Sequence, residues 1–223
     1  MCGILALYNP KADVAKDIYD GLIQLQHRGQ DAAGISSLDS SIMHLHKDTG
    51  LVTEVFKKTK SKVNLTGNLG IGHVRYPTAG NNDVNDSQPF FTSNPVNIAL
   101  AHNGTLTNSD SIRDKLIKTH FCQFNTSSDS EALLNLFAFE LYKTNFRRLT
   151  KNHVIKALKM VYKKCSGFSV VALVSGIGIV AFRDPNGIRP LSMGRKDNSF
   201  MFASESSALT ALDFTDIEDV NPG

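Results

Sequence analysis

The second residue of the chain combines two groups that could carry out nucleophilic chemistry. Cys2 follows Met1 directly, and a small residue in second place lets methionine aminopeptidase remove Met1, which would free the α-amine of Cys2. An α-amine titrates near ~7.7 to 8.0 and a thiol near ~8.5, so the amine could accept the thiol proton at neutral pH. One residue would then supply both nucleophile and base. The alternative is that Cys2 is only a small buried residue at the start of a strand.

A candidate oxyanion hole closes an apolar stretch in the middle of the chain. The run Ala101-His102-Asn103-Gly104 places a side-chain amide next to a glycine. The amide of Asn103 and the backbone N–H of Gly104 could donate to one developing oxyanion, and losing such a donor typically slows a reaction by on the order of 10²-fold or more. Read alone, Asn103-Gly104 is also a common hairpin turn.

Two opposite charges could select the substrate. Arg75 ends an apolar stretch and can bind a carboxylate through two parallel hydrogen bonds. Asp129 stands at the start of a helical pattern, where the alternative role is a helix cap that interacts with the dipole. Together they could hold the α-carboxylate and α-ammonium of a free amino acid. With Cys2 and the oxyanion hole, this predicts hydrolysis of a side-chain amide.

The hydrophobic patterns predict the elements that must position these residues. Strands are predicted at 3–8, 42–46, 69–75, 96–102, 168–174, 178–182 and 200–204, because these runs are apolar and most are bounded by Gly, Pro, Asn or Asp. Apolar residues recur at helical spacing over 13–26, 129–143 and 152–164. The second of these patterns opens with Ser128-x-x-Glu131, which predicts a capping box. The helices come in groups and do not alternate strictly with strands. We therefore predict two stacked sheets between layers of helices in one domain, residues 1–223.

Composition excludes several classes of function. Lys and Arg total 24 against 21 Asp and Glu, and the net charge of +3 is spread along the chain, which argues against nucleic-acid binding. Three cysteines stand far apart without a Cys-x-x-Cys pair, so we expect a reducing cytoplasm and no metal site, with Cys122 and Cys165 structural. No apolar run approaches the roughly 20 residues that cross a bilayer.

Five segments in register resemble one family, the class II (amino-terminal nucleophile, Ntn) glutamine amidotransferases. They are Met1-Cys2-Gly3-Ile4, His27-Arg28-Gly29-Gln30-Asp31-Ala32-Ala33-Gly34-Ile35, Gly72-His73-Val74-Arg75-Tyr76-Pro77-Thr78-Ala79-Gly80, His102-Asn103-Gly104 and Ser128-Asp129-Ser130-Glu131. The matches extend across nearly the whole chain. The resemblance implies an α+β fold, the four-layer αββα Ntn-hydrolase sandwich of two mainly antiparallel sheets.

The resemblance also implies roles for individual residues. Cys2 would be the nucleophile, with Asn103 and Gly104 as oxyanion hole. Arg75 and Asp129 would bind glutamine, and Tyr76 and Thr78 would belong to a loop that closes over it. Arg28 and Gly29 are expected only to shape the wall around Cys2.

Within the family, the segment from His27 and the run Arg183-Asp184-Pro185-Asn186-Gly187-Ile188-Arg189-Pro190-Leu191 are most similar to the amidophosphoribosyltransferases of purine synthesis. This implies the glutaminase half of such an enzyme, hydrolysing glutamine to glutamate and ammonia.

The phosphoribosyltransferase domain, with its Mg²⁺ and phosphoribosyl pyrophosphate, is absent from these residues and would be a partner domain or subunit. No cofactor is expected here, and a homo-oligomer stays open. The alternatives are another class II amidotransferase, such as a hexosamine-forming one, and a non-catalytic glutamine-sensing domain.

Overall fold

The chain forms two antiparallel β-sheets that stack face to face. The computed structural model describes residues 1–57, 64–76, 84–120 and 122–223. The strands are β1 (Gly3–Tyr8), β2 (Ala32–Asp39), β3 (Ile42–Thr49), β4 (Leu69–Arg75), β5 (Phe90–Thr92), β6 (Ile98–Gly104), β7 (Phe168–Val174), β8 (Gly178–Arg183), β9 (Ser192–Lys196), β10 (Ser199–Ala203) and β11 (Thr215–Asp219). The larger sheet has the order β11-β9-β10-β1-β4-β2-β3, and the smaller has the order β5-β6-β7-β8.

Helices cover the outer face of each sheet. They are α1 (Ala15–Gln24), α2 (Val52–Lys57), α3 (Ser109–His120), α4 (Asp129–Tyr142), α5 (Lys151–Tyr162) and α6 (Ser206–Ala211). Helices α1, α2 and α6 pack on the larger sheet. Helices α3, α4 and α5 pack on the smaller one.

The alternation of side chains along β1 explains why the fold has three apolar layers. Leu5 and Leu7 pack beneath the helices of the larger sheet, whereas Ile4 and Ala6 point into the layer between the sheets. Both faces of β1 are therefore buried, which is why its sequence is continuously apolar. The arrangement is the αββα sandwich that the sequence predicts.

Most of the predicted elements are present, with shifted ends. The predicted strands 3–8, 69–75 and 168–174 agree with β1, β4 and β7 at both ends. The first helix is shorter than predicted, because it ends at Gln24 and the chain continues as a 3₁₀ turn over Gln26–Arg28. The side-chain amide of Gln26 bonds to the carbonyl of Gly29 at 2.5 Å and to the N–H of Val52 at 2.8 Å, which fixes this turn.

The start of α4 differs from the capping box that Ser128 and Glu131 would form. Ser128 is the N-cap residue, but its hydroxyl accepts from the N–H of Ser130 at 3.3 Å. The carboxylate of Glu131 instead accepts from the N–H groups of Asn125 and Thr126 at 2.9 and 2.8 Å. The capping-box prediction was thus wrong for Glu131, which fixes the preceding loop. In the described part of the chain, no helix has the length and apolar character to cross a membrane.

Candidate active site

A cleft of about 530 Å³ opens at one end of the layer between the two sheets. Five of the predicted site residues line it, namely Cys2, Arg75, Tyr76, Gly104 and Asp129. They come from the chain start, the end of β4, the end of β6 and the start of α4. Residues far apart in sequence therefore meet because four element ends converge.

Side-chain alternation explains why these ends form a polar site. Ile71 on β4 and Ala101 on β6 belong to the apolar layer between the sheets. Because side chains two apart share a face, Arg75 and Asn103 lie on that same side, at the ends of their strands. The inter-sheet layer thus changes from apolar to polar at the cleft.

Cys2 stands immediately before β1, the strand that lies between β10 and β4. Burial raises the pKa of its thiol, although the backbone N–H of Tyr76 acts in the opposite direction. A raised pKa keeps the thiol protonated at neutral pH, so attack by its sulfur requires a base nearby. With Met1 present, the nearest amine belongs to Met1, and its pKa is lowered chiefly by burial.

Asn103 and Gly104 end β6 with two hydrogen-bond donors. The Asn103 side chain is only 1% exposed, and within the described residues its Nδ2 has no hydrogen-bond partner. A buried donor of this kind costs free energy unless a ligand uses it. Gly104 must be glycine, since a Cβ there would lie 2.2 Å from the carbonyl oxygen of Gly167.

Arg75 and Asp129 bring opposite charges to the cleft. Arg75 is 9% exposed and closes β4 beside Ala32 of β2. Asp129 is the first residue of α4, where the helix dipole stabilises a carboxylate. Its Oδ2 accepts from the N–H of Leu106 at 2.8 Å, which fixes the carboxylate in place.

Comparisons with known proteins identify the family of the chain. A family model described as a glutamine amidotransferase domain matches residues 73–211. The chain belongs to the glutamine amidotransferase domain family.

The chain spans slightly less than half the length of the relatives that it matches. The chain is 47% identical over 232 residues to the amidophosphoribosyltransferase of Escherichia coli and 45% identical over 228 residues to that of Pseudomonas aeruginosa. Each alignment covers 100% of this chain and 45% of the relative. A solved glutamine phosphoribosylpyrophosphate amidotransferase from B. subtilis superposes with a TM-score of 0.83 at 33% identity, covering 100% of this chain and 46% of that one.

Arg28 and Gly29 lie behind the cleft of the amidotransferase domain, against residues that line it. The buried Arg28 donates from Nε to the carbonyl oxygen of Cys2 at 3.0 Å, and its other end forms an ion pair with Glu205. A Cβ on Gly29 would lie 2.5 Å from the carbonyl carbon of Arg75. Each residue therefore fixes the main chain of a cleft residue. Thr78 lies outside the described residues.

A buried polar network beneath Asp129 was not predicted. Gln88 accepts from the N–H of His102 at 2.7 Å and donates to Ser130 Oγ at 2.9 Å. His102 Nδ1 lies 2.9 Å from the same hydroxyl, and burial lowers the pKa of this imidazole. The network links β6 to the start of α4. Gln88 gives no signal in the sequence, because nothing local predicts contacts with residues 14 and 42 positions away.

The other two cysteines do not line the cleft. Cys165 is buried, and its Sγ contacts the carbonyl oxygen of Val161 at 3.4 Å. Burial raises the pKa of Cys165 to about 12 and also raises that of Cys122. Neither thiol has an environment that favours a reactive thiolate.

Proposed function

We propose that this amidotransferase domain hydrolyses glutamine to glutamate and ammonia, with Cys2 as the nucleophile, as the glutaminase half of an amidophosphoribosyltransferase. The observation that carries the proposal is that one cleft holds the Cys2 thiol together with Arg75, Asp129 and Gly104. The relatives named above favour this branch of the family over the hexosamine-forming one.

The charges of the cleft suit a free amino acid. Arg75 would bind the α-carboxylate and Asp129 the α-ammonium. Tyr76 lines the cleft and is half exposed, so its side chain could close over the bound molecule. A peptide would lack one or both of these charges, whereas free glutamine has both and presents its side-chain amide to Cys2.

Besides residues that line the cleft, the proposed reaction needs only the buried amide of Asn103, next to Gly104, and water. After removal of Met1, the α-amine of Cys2 takes the thiol proton, and the thiolate attacks Cδ of glutamine. The Asn103 amide and the Gly104 N–H stabilise the resulting oxyanion. The C–N bond breaks as the ammonium of Cys2 returns its proton to the departing nitrogen. Water, deprotonated by the same amine, then attacks the thioester. The C–S bond breaks, the ammonium of Cys2 returns the proton to the departing sulfur, and glutamate is released.

The rest of the biosynthetic reaction would take place outside these residues. We place Mg²⁺ and phosphoribosyl pyrophosphate in a phosphoribosyltransferase domain or subunit, which would receive the ammonia. The length of the relatives supports this, since the chain covers only 45% of each one. We expect the protein to act in the cytoplasm, without nucleic acid or membrane, and homo-oligomers are compatible with the proposal.

Substitution of Cys2 tests the proposal. Cys2→Ala and Cys2→Ser should abolish the release of glutamate and ammonia from glutamine, while thermal unfolding stays close to that of the unsubstituted protein. Cys122→Ser, which removes a thiol that does not line the cleft, should retain the activity. Hydrolysis by Cys2→Ala would rule out the proposed mechanism, and an inactive but processed unsubstituted protein would favour a glutamine-sensing role.

A further inference from the structure

One wall of the cleft is a short segment without regular secondary structure. We define the wall segment as Asn125, Thr126, Ser127 and Ser128. All four residues line the cleft, and the segment leads directly into Asp129. Its position therefore sets both the width of the cleft and the place of the carboxylate that would hold the substrate ammonium.

Side chains, more than main-chain partners, specify the shape of the wall segment. The buried carboxylate of Glu131 accepts four hydrogen bonds from it: from N and Nδ2 of Asn125 at 2.9 and 3.4 Å, and from N and Oγ1 of Thr126 at 2.8 and 2.7 Å. The hydroxyl of Thr126 in turn accepts from the N–H of Ser128 at 3.1 Å. Glu131 is 5% exposed and is not part of the cleft lining.

Arg113 of α3 binds the carbonyl groups of the same segment. Its NH1 donates to the carbonyl oxygen of Thr126 at 2.7 Å, and its NH2 donates to that of Ser128 at 3.0 Å. The guanidinium also lies 4.3 Å from the ring centroid of Phe124, the residue before the wall segment. Arg113 does not line the cleft either. Both charged residues therefore contact the wall segment without lining the cleft.

We propose that Arg113 and Glu131 are positioning residues that set the affinity of the cleft for glutamine, an inference that rests on the proposed function. Arg113 holds the carbonyl groups of the wall segment and Glu131 holds its N–H groups, so the wall has one conformation only when both charges are present. Neither residue touches the substrate or the thiol. Their loss should therefore weaken substrate binding while leaving the chemistry at Cys2 intact.

Conservative substitutions test this inference. In Glu131→Gln, one carboxylate oxygen becomes an NH₂ group that faces the N–H of Asn125 or Thr126, so two donors oppose each other. Arg113→Lys keeps the charge but reaches only one of the two carbonyl groups at a time. We expect kcat/KM for glutamine to fall on the order of tenfold or more, mainly through KM, because a misplacement of about 1 Å can cost on the order of a hundredfold. Arg113→Lys should lie between the unsubstituted protein and Arg113→Ala.

Two further measurements separate positioning from general damage. The rate of alkylation of Cys2 by iodoacetamide, which does not bind through the wall, should be unchanged in all variants. Lys118→Ala removes an exposed cation from α3, the helix that carries Arg113, and should leave KM unchanged.

Folded Glu131→Gln and Arg113→Ala variants with unaltered KM would overturn the inference, as would a parallel loss of iodoacetamide reactivity. If Glu131→Gln does not fold, the Arg113 series gives the same test. If the unsubstituted protein does not hydrolyse glutamine at all, the proposed function itself fails.

Discussion

At the scale of single residues, the side chain of Asn103 distinguishes a binding site from a structural turn. The sequence allowed both readings, because Asn-Gly pairs are common in hairpins. In the structure Asn103 and Gly104 belong to β6 and pair with Ser169 and Phe168 of β7. The amide is buried with Nδ2 unpaired among the described residues, an arrangement that a turn does not require and an oxyanion would use.

Replacing Asn103 should therefore slow the reaction and leave substrate binding largely unchanged. Asn103→Ala removes the donor, and we expect kcat to fall by about 10²- to 10³-fold with little change in KM. Asn103→Asp keeps the shape but presents oxygens to the oxyanion, and should be at least as slow. Steady-state kinetics on glutamine provide the measurement, with the exposed Asn198→Ala as control. A kcat within twofold of the control, roughly 0.4 kcal/mol, would exclude Asn103 from the oxyanion hole.

At the scale of elements, close contacts between main chains place the ends of the strands. Gly29 follows the 3₁₀ turn and lies against the end of β4, where the N–H of Asp31 also bonds to the carbonyl oxygen of Arg75 at 3.1 Å. No side chain fits between the two segments. The position of Arg75 in the cleft thus depends on a residue that does not line it.

Gly29→Ala should displace the end of β4 and with it Arg75. The added Cβ would lie 2.5 and 2.6 Å from the carbonyl carbon and oxygen of Arg75, so the two main chains must separate. We expect a loss of about 1 to 3 kcal/mol in the free energy of unfolding, together with a raised KM for glutamine. Urea denaturation and steady-state kinetics test both effects. Gly176→Asn, in an open turn, is the control, and equal KM values for the two variants would contradict this role.

The sequence analysis missed elements for two different reasons. Strand β2 is buried in all but its last residue, but Ala, Gly and Ser make up most of it, so it does not stand out as an apolar run. Helix α3 buries only Ile112 and Leu116, so its apolar periodicity is too weak to detect, and Arg113 gave no signal. By contrast, β1, β4 and β7 were predicted with correct ends because they are buried almost throughout. The site residues in recognisable motifs could be predicted, whereas Gln88 and the hydrogen bonds of Glu131 to the wall segment could not, since they depend on how the surrounding chain folds.

At the scale of the whole molecule, the layer between the two sheets includes a histidine that should link stability to pH. His73 on β4 is fully buried, and burial lowers its pKa from 6.5 to about 3. A hydrogen bond with the main chain of His102 favours the protonated ring, but burial outweighs it. The folded protein therefore keeps His73 neutral, while the unfolded chain binds a proton below about pH 6.5.

The sign of the effect follows from this difference in proton binding. The contribution of His73 to the free energy of unfolding is fully present above pH 6.5 and is lost as the pH falls towards 3. One such group can change the free energy of unfolding by at most about 1.4 kcal/mol per pH unit. Urea unfolding between pH 7 and pH 4, roughly this window, should show a smaller pH dependence for His73→Leu than for the exposed control His120→Gln. Equal slopes would contradict the assignment of a buried neutral His73.

The central claim is that Cys2, freed of Met1, is the reactive group of a glutamine-binding cleft. The measurement that tests it most directly is intact-mass spectrometry of the purified protein before and after treatment with diazo-oxonorleucine, an electrophilic analogue of glutamine. We expect a mass that lacks Met1 and gains a single adduct, mapped to Cys2 by peptide fragmentation. A chain that keeps Met1, a processed chain that takes up no adduct, or an adduct on Cys122 would contradict the claim.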